Sequence, residues 1–197
     1  MNLSFLGDAL DHWKGSLFES LQQAGVLRNF AVDAMASDWP AWQPEDVSLF
    51  SRLLKIDESQ LIKHSVGLAT REPYFDDIQH TGDVFLDPDI GVATGRVKNV
   101  NQYVRPSEIG LLLHDRDRLL AVYQHVRAQA VSQRVDTVCR ALNGAIDGCN
   151  WSSYESGTVA MMFLSRSYQR VAEVTTHFRQ LLGRHAIGRV RASSNNA

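Results

Sequence analysis

Several features that would advertise a function are missing from the chain. Cysteine is scarce: Cys139 and Cys149 are the two in 197 residues. Two thiols do not make a disulfide scaffold, and their spacing matches no zinc motif, so a reducing compartment is expected. No run of about 18 apolar residues occurs, which excludes a membrane-spanning helix. The first residues carry Asp8 and Asp11 and lack a basic region followed by an apolar run, so no signal peptide is expected and the protein is read as cytoplasmic, in a cell or a phage-infected cell. A net charge of −2 means no global basic field, so any contact with nucleic acid must come from a local patch. There is no internal repeat and no low-complexity segment. A GxGxxG fingerprint, a Walker A loop, a GxSxG elbow and an HExxH helix are all absent, which disfavours hydride-transfer and P-loop enzymes. The histidines other than His125 (His12, His64, His80, His114, His177 and His185) show no metal-ligand spacing.

What remains is an ordinary globular balance, 44% hydrophobic and 21% charged, in a length that suits one domain with a sizeable core. A first helix is predicted over 9–23, with Asp8 as its cap and Gly25 as its stop. Short apolar strands are predicted at 28–32, 83–86, 119–123 and 158–164. Helices are predicted over 45–55, from Asp57 onward with Gln60 as a capping-box partner, over 106–114, over 128–142 to a stop at Asn143-Gly144, and over 167–182. The stretches 67–82 and 91–101 read as irregular. The strands are apolar throughout rather than alternating, which marks strands covered on both faces. The expected fold is therefore α/β: an open, Rossmann-like, mostly parallel sheet of four to six strands flanked by helices, in one domain over 1–187. The tail 188–197 reads as flexible, with Arg184, Arg189 and Arg191 either a solvated basic end or a binding arm.

In such a sheet, ligands bind beyond the carboxyl ends of the strands. The residues there would be Asp33, then Asp87 and Asp89, then Gln124, His125 and Arg127, then Ser165 and Arg166. This convergence holds only if all four strands run the same way; an antiparallel strand removes its group. The segment Phe85-Leu-Asp-Pro-Asp-Ile-Gly91 is the most specific piece. Its two carboxylates flank a proline on a stiff turn, suited either to a divalent metal or to hydrogen-bonding a base or sugar; the alternative is a plain strand-to-loop turn. Gly91 and Gly95 would let backbone approach a ligand. On a helical wheel Lys14 falls in the stripe of Leu10, Leu17 and Leu21, flanked by Trp13 and Phe18. It must then either snorkel outward or meet an anion such as Asp87 or Asp89 in the cleft. His125 has the chemistry of a general acid or base. Trp39 and Trp42 either anchor their loop or stack on a base.

The set Gly7-Asp8, Lys14, Phe85-Leu-Asp-Pro-Asp-Ile-Gly91, Glu108 and Tyr123-Gln-His125 resembles a family of uncharacterised bacterial and phage proteins. More distantly it resembles the large-subunit ribosomal RNA adenine-N6 methyltransferases. Asp11 and Lys14 would match their Asp-x-x-Lys-His helix, and Asp87-Pro88 the start of their Asp-Pro-Pro-Tyr motif. Asp89 and Ile90 replace the second proline and the aromatic, and the segment 33–38, where a glycine-rich S-adenosylmethionine loop would fall, has no glycine.

Three readings follow. In the first, the protein is a nucleic-acid-modifying enzyme of methyltransferase type. Asp87, Asp89, Lys14 and His125 are the catalytic set, Asp33, Ser37 and Asp38 border S-adenosylmethionine, and Asp8, Arg127 and Arg166 contact substrate. In the second, it is a nuclease or phosphoesterase whose Asp87 and Asp89, with Asp33 or Glu108, hold Mg2+ or Mn2+. In the third, it is a non-catalytic phage or defence binding protein. No membrane partner is expected, and the sequence sets no oligomeric state.

Overall fold

A computed structural model describes residues 3–64, 71–76, 78, 82–114 and 117–194. In chain order the elements are α1 (Ala9–Gln23), β1 (Ala31–Asp33), α2 (Pro44–Leu53), β2 (Leu61–Ile62), α3 (Arg71–Asp76), β3 (Val84–Leu86), β4 (Gly91–Val92), β5 (Tyr103–Val104), α4 (Pro106–Leu112), β6 (Leu120–His125), α5 (Val131–Ala145), β7 (Asn150–Ser156), β8 (Val159–Ser165), α6 (Tyr168–Leu182) and β9 (Val190–Ala192). Seven strands form one sheet in the order β2-β1-β3-β6-β8-β7-β9, and β4 pairs with β5 beside it.

The fold is α/β with helices on both faces. Alternate residues of each strand face opposite ways, and the two cores divide on that alternation. Val32, Phe85, Ala121 and Phe163 pack with α1, α2 and α6. Val84, Leu86, Val122 and Met162 pack with α3, α4 and α5. Apolar side chains are thus buried on both faces, which is why the central strands read as unbroken apolar runs. Phe18 of α1 is wholly buried between the rings of Phe30 and Phe85, at 5.0 and 4.7 Å; burying such a side chain contributes about 1.5–3 kcal/mol.

The expectation of a mostly parallel sheet is corrected. β2, β1, β3 and β6 are parallel neighbours, but β6/β8, β8/β7 and β7/β9 are antiparallel. A two-residue connection, Gly157-Thr158, joins β7 to β8, and so short a link can join only antiparallel neighbours. β7 (NWSSYES) has little apolar patterning because its buried serines are held by hydrogen bonds: Thr175 Oγ1 donates to Ser152 Oγ at 2.9 Å, and Ser153 Oγ donates to Glu155 Oε1 at 3.1 Å. The segment expected to be a flexible tail from 188 supplies edge strand β9, with Val190 buried and Arg191 paired to Glu155 and Asp136; residues 195–197 lie outside the described residues.

Other differences are local. The Asp57–Gln60 capping box forms but opens only a single 3-10 turn, because Gln60 Nε2 donates to Phe30 O at 2.6 Å and the chain enters β2. Helix α5 continues through Asn143-Gly144. In the stretch expected to be irregular, 71–76 form α3, while 67–70, 77 and 79–81, including His80, lie outside the described residues.

Two features position the rims of the sheet. A Cβ on Gly15 would lie 1.9 Å from Leu53 O, so only glycine lets α1 seat against the end of α2 and places its neighbour Lys14 over the strand ends. At the amino end, Asp83 accepts from Arg28 N (2.7 Å), Leu119 N (2.9 Å) and Arg170 Nη2 (2.5 Å). Arg170, 1% exposed, also donates to Asp117 O, Val26 O and Glu173. This sealed cluster ties the starts of β1, β3 and β6 to α6.

Candidate functional site

The chain passes from β1 to β2 on one side and then crosses to β3 on the other. The carboxyl ends of β1 and β3 therefore form a topological switch point, where open α/β sheets leave a crevice. Asp33 ends β1, Asp87 follows β3, and Asp87 N donates to Asp33 O at 3.0 Å, locking the two strand ends together.

Beside this point lies a cleft of about 160 Å³. Lys14, Asp87, Asp89 and His125, the four predicted catalytic residues, all line it, as do Asp8 and Arg127. Asp11, Pro88, Tyr123 and Phe5 complete most of the wall. Lys14 enters the cleft and does not snorkel. It is 5% exposed, its Nζ donates to Asp87 Oδ2 at 2.8 Å and to Asp11 Oδ1 at 3.1 Å, and it lies 4.7 Å from the centre of the Tyr123 ring. Burial alone would depress the Lys14 pKa, but the Asp87 and Asp11 carboxylates outweigh it and raise it, so the ammonium keeps its proton. Burial also pushes the Asp87 carboxyl upward, against the pull of Lys14.

The first turn of α1 is built around this pair. Asp8 caps the helix, its Oδ1 accepting from Leu10 N (2.7 Å) and Asp11 N (3.2 Å). Asp11 Oδ2 accepts from Gly7 N at 2.9 Å, which fixes Asp11 beside Lys14. On the opposite wall, His125 Nδ1 and Tyr123 Oη are 3.2 Å apart. Burial and then the Arg127 charge lower the His125 pKa, so its imidazole is neutral at pH 7 and can accept a proton.

The turn after Asp87 is clamped from β6. Gln124, wholly buried, donates from Nε2 to Ile90 O (2.9 Å) and accepts at Oε1 from Val92 N (3.0 Å). Gly91 has φ +126°, and a Cβ there would meet Gln124 Oε1 at 2.4 Å. The close approach for which Gly91 is needed is therefore to Gln124 and not to a ligand. This contact joins the Phe85–Gly91 motif to Tyr123-Gln-His125.

The remaining predicted residues lie elsewhere. Asp33 is wholly buried: its Oδ1 accepts from Met35 N at 2.7 Å and its Oδ2 from Tyr74 Oη at 2.6 Å. Desolvation raises its pKa to about 6 despite those bonds. Asp33 thus shapes the turn after β1, which passes through Met35 at φ +47°. Ser37 is exposed, and Asp38 accepts from Trp42 Nε1 at 3.3 Å. None of these three lines the Lys14–Asp87 cleft. Trp42 packs on Phe50 and Trp39 as a loop anchor. Ser165 and Arg166 leave the set, because β8 is antiparallel to β6 and delivers them to the opposite rim, where Ser165 lies beyond the Leu120–Leu164 pair. Glu108 is a structural residue: Arg71 binds it through Nε (2.5 Å) and Nη2 (2.9 Å), and it accepts from Arg105 N.

No protein-family model matches the chain, and no curated protein is significantly similar to it in sequence. The site must be read from its own chemistry. Asp8, Asp11, Asp87 and Asp89 outnumber the two cations of the lining, Lys14 and Arg127, so the cleft favours a neutral ligand that donates hydrogen bonds over a phosphate. Among the described residues no group of three or more His, Cys, Asp and Glu is arranged to hold a metal ion. The Lys14 ammonium already stands against Asp87, where a cation would have to sit. Asp11 and Tyr123 were absent from the expected catalytic, cofactor and substrate sets, and Gln124 was expected only as one of the polar strand-end residues; for Asp11 the i, i+3 spacing from Lys14 was a usable signal, while Tyr123 was hidden in an apolar strand. Among the described residues no helix is long and apolar enough to cross a membrane.

Proposed function

We propose that the protein is a nucleic-acid-modifying enzyme on a Rossmann-like, methyltransferase-like scaffold, cytoplasmic in location, whose cleft takes an unstacked base. The observation that carries this reading is the buried Lys14–Asp87 pair, 2.8 Å long, at the mouth of a cleft beside the switch point of the sheet. An exocyclic amino group is a neutral double donor, and the carboxylates of the cleft are acceptors suited to it. Asp87 orients the amine, Lys14 holds Asp87 in place and balances its charge, and His125 takes up the proton that the amine loses. S-adenosylmethionine, when bound, supplies an electrophilic methyl group. Its neighbours would be Ser37 and Asp38, in the segment that corresponds to the glycine-rich loop of the methyltransferases.

Calorimetry with S-adenosylmethionine, followed by transfer of labelled methyl groups to single-stranded DNA and RNA, tests the proposal. Binding, together with transfer strongly reduced by Asp87→Asn and Lys14→Met, supports it. No binding heat at millimolar cofactor removes the methyltransferase reading. The Mg2+- or Mn2+-dependent nuclease is disfavoured by the Lys14–Asp87 pairing and by the donor set. It returns only if metal-supplemented protein cleaves nucleic acid and Asp87→Asn stops it.

A further inference from the structure

The acidic cleft continues into a surface of opposite character. A cavity of about 370 Å³ shares His125 and Arg127 with the cleft and is further lined by Arg96, Tyr103 and Arg134. A second cavity, of about 590 Å³, shares Thr94, Gly95, Arg96 and Val97 with the first and ends at Arg105 and Ser107. The three spaces adjoin one another through these shared residues and make a furrow of three parts. Among the described residues no aspartate or glutamate lines either cavity, whereas four aspartates line the cleft. In a chain of net charge −2, such segregation must be local.

The arginines are placed by the fold. Arg134 of α5 is half-buried and holds the loop after β4, donating to Thr94 Oγ1 at 2.8 Å and Val92 O at 2.6 Å. Arg127 follows β6 on an exposed turn whose next residue, Ala128, has φ +58°. Arg96 is exposed on the same loop as Thr94, and Arg105 is exposed just before α4. Among the described residues Arg96 and Arg127 make no hydrogen bond or ion pair, and the Arg105 guanidinium reaches Glu108 only at 4.0 Å. The floor between them is open, because a Cβ on Gly95 would meet nothing within 4 Å.

We propose that this furrow is a phosphodiester track for a single-stranded polynucleotide. It rests on the reading of the cleft as a base pocket, which the strand enters past His125 and Arg127 while its backbone runs on to Arg96 and Arg105. Charge decides the direction: phosphates avoid the four aspartates and follow the arginines, and the neutral base does the reverse. Three phosphate contacts on a single strand, at Arg96, Arg105 and Arg127, give a slope of log affinity against log salt of about −2, or a roughly 20-fold loss of affinity from 50 to 200 mM salt.

Anisotropy of fluorescent 12-nucleotide single-stranded DNA and RNA over that salt range tests the track, and the two arms identify the sugar. Arg96→Gln, Arg105→Gln and Arg127→Gln should each weaken binding and flatten the slope by about 0.7. Gly95→Asp, which adds a charge without crowding, should weaken binding several-fold even if an arginine variant folds poorly. Arg179→Gln, on the exposed face of α6, should bind like the unaltered protein. Equal losses for Arg179→Gln and the furrow variants overturn the track, as does a mononucleotide binding as tightly as the 12-mer or a duplex binding more tightly. A positive result without cofactor heat keeps the track and discards the methyl-transfer reading. Cofactor heat with furrow variants that bind normally does the reverse.

Discussion

The two rims of the sheet each bury an ion pair, and the two pairs do different work. At the amino rim Asp83 meets Arg170 at 2.5 Å, with side chains 3% and 1% exposed. At the carboxyl rim Asp87 meets Lys14 at 2.8 Å, with side chains 3% and 6% exposed. Burial and distance do not separate them. Their remaining partners do. Asp83 also accepts two backbone N–H groups, and Arg170 also donates to two backbone carbonyls, so the cluster is closed by the chain itself. Lys14 instead donates to two carboxylates, lies over an aromatic ring and faces a cleft. A buried charge thus marks a site when its surroundings open onto a space, and marks a rivet when backbone groups close it.

The strongest test removes the rivet. Arg170→Leu leaves Asp83 buried without its cation and should cost about 3–5 kcal/mol in a denaturant titration. Next comes the open pair. Asp87→Asn should lower methyl transfer by about 100-fold, in the range found when one polar group that stabilises a transition state is removed. Its stability should change less than that of Arg170→Leu, since the amide keeps the shape and an acceptor oxygen for Lys14, and the Asp11 carboxylate still faces the ammonium. Equal destabilisation by the two variants, with transfer unaffected by Asp87→Asn, would erase the distinction between the rims.

The same distinction explains what could be read in the sequence. Lys14 stood out because a lysine in a stripe of Leu10, Leu17 and Leu21 must either snorkel outward or meet an anion, and Phe85–Gly91 because two carboxylates flank a proline on a short turn. Both lie on the parallel half of the sheet, where strands are apolar runs and their carboxyl ends fall on one rim. The antiparallel half was less legible. β7 carries buried serines whose hydrogen bonds come from α6 and from within the strand, so no apolar pattern announces it. β9 is three residues long and depends on β7 for its pairing. With both strands unseen, the direction of β8 was free, and Arg166 was assigned to the wrong rim. The rivet was invisible for a similar reason: Arg170 and Asp83 are 87 residues apart and meet only in the fold.

A second buried acid at the carboxyl rim sharpens the comparison, because it has no cation within its hydrogen bonds. Asp33 has a folded pKa raised from 3.8 to about 6. The native state therefore binds more protons than the unfolded chain between those values. Its contribution to stability is fully present in acid and is lost as pH rises through about 6. Between pH 4.5 and 7.5 the loss is about 2 kcal/mol. Asp33→Asn cannot ionise, so its stability relative to the unaltered protein should improve by that amount over the interval, measured by urea unfolding at each pH. A difference between the two proteins that stays constant, or turns further against Asp33→Asn as pH rises, would mean that Asp33 is ionised and paired, which would make the carboxyl rim resemble the amino rim.

The smallest expected effect lies next to the rivet. Glu173 accepts from both Arg170 (2.8 Å) and Arg28 (3.1 Å), so two arginines share one carboxylate. Arg28 is 54% exposed where Arg170 is 1%. Water solvates the Arg28 guanidinium in the folded and unfolded states alike, and salt screens its attraction, so Arg28→Gln should cost about 0.5 kcal/mol or less. That cost should fade further at 1 M salt, while the loss from Arg170→Leu should persist because ions do not reach the Asp83 pocket. Side by side, the two variants separate proximity from enclosure at a single carboxylate. Comparable losses for the two, or equal sensitivity to salt, would show that closure by backbone groups is not what gives the amino rim its strength.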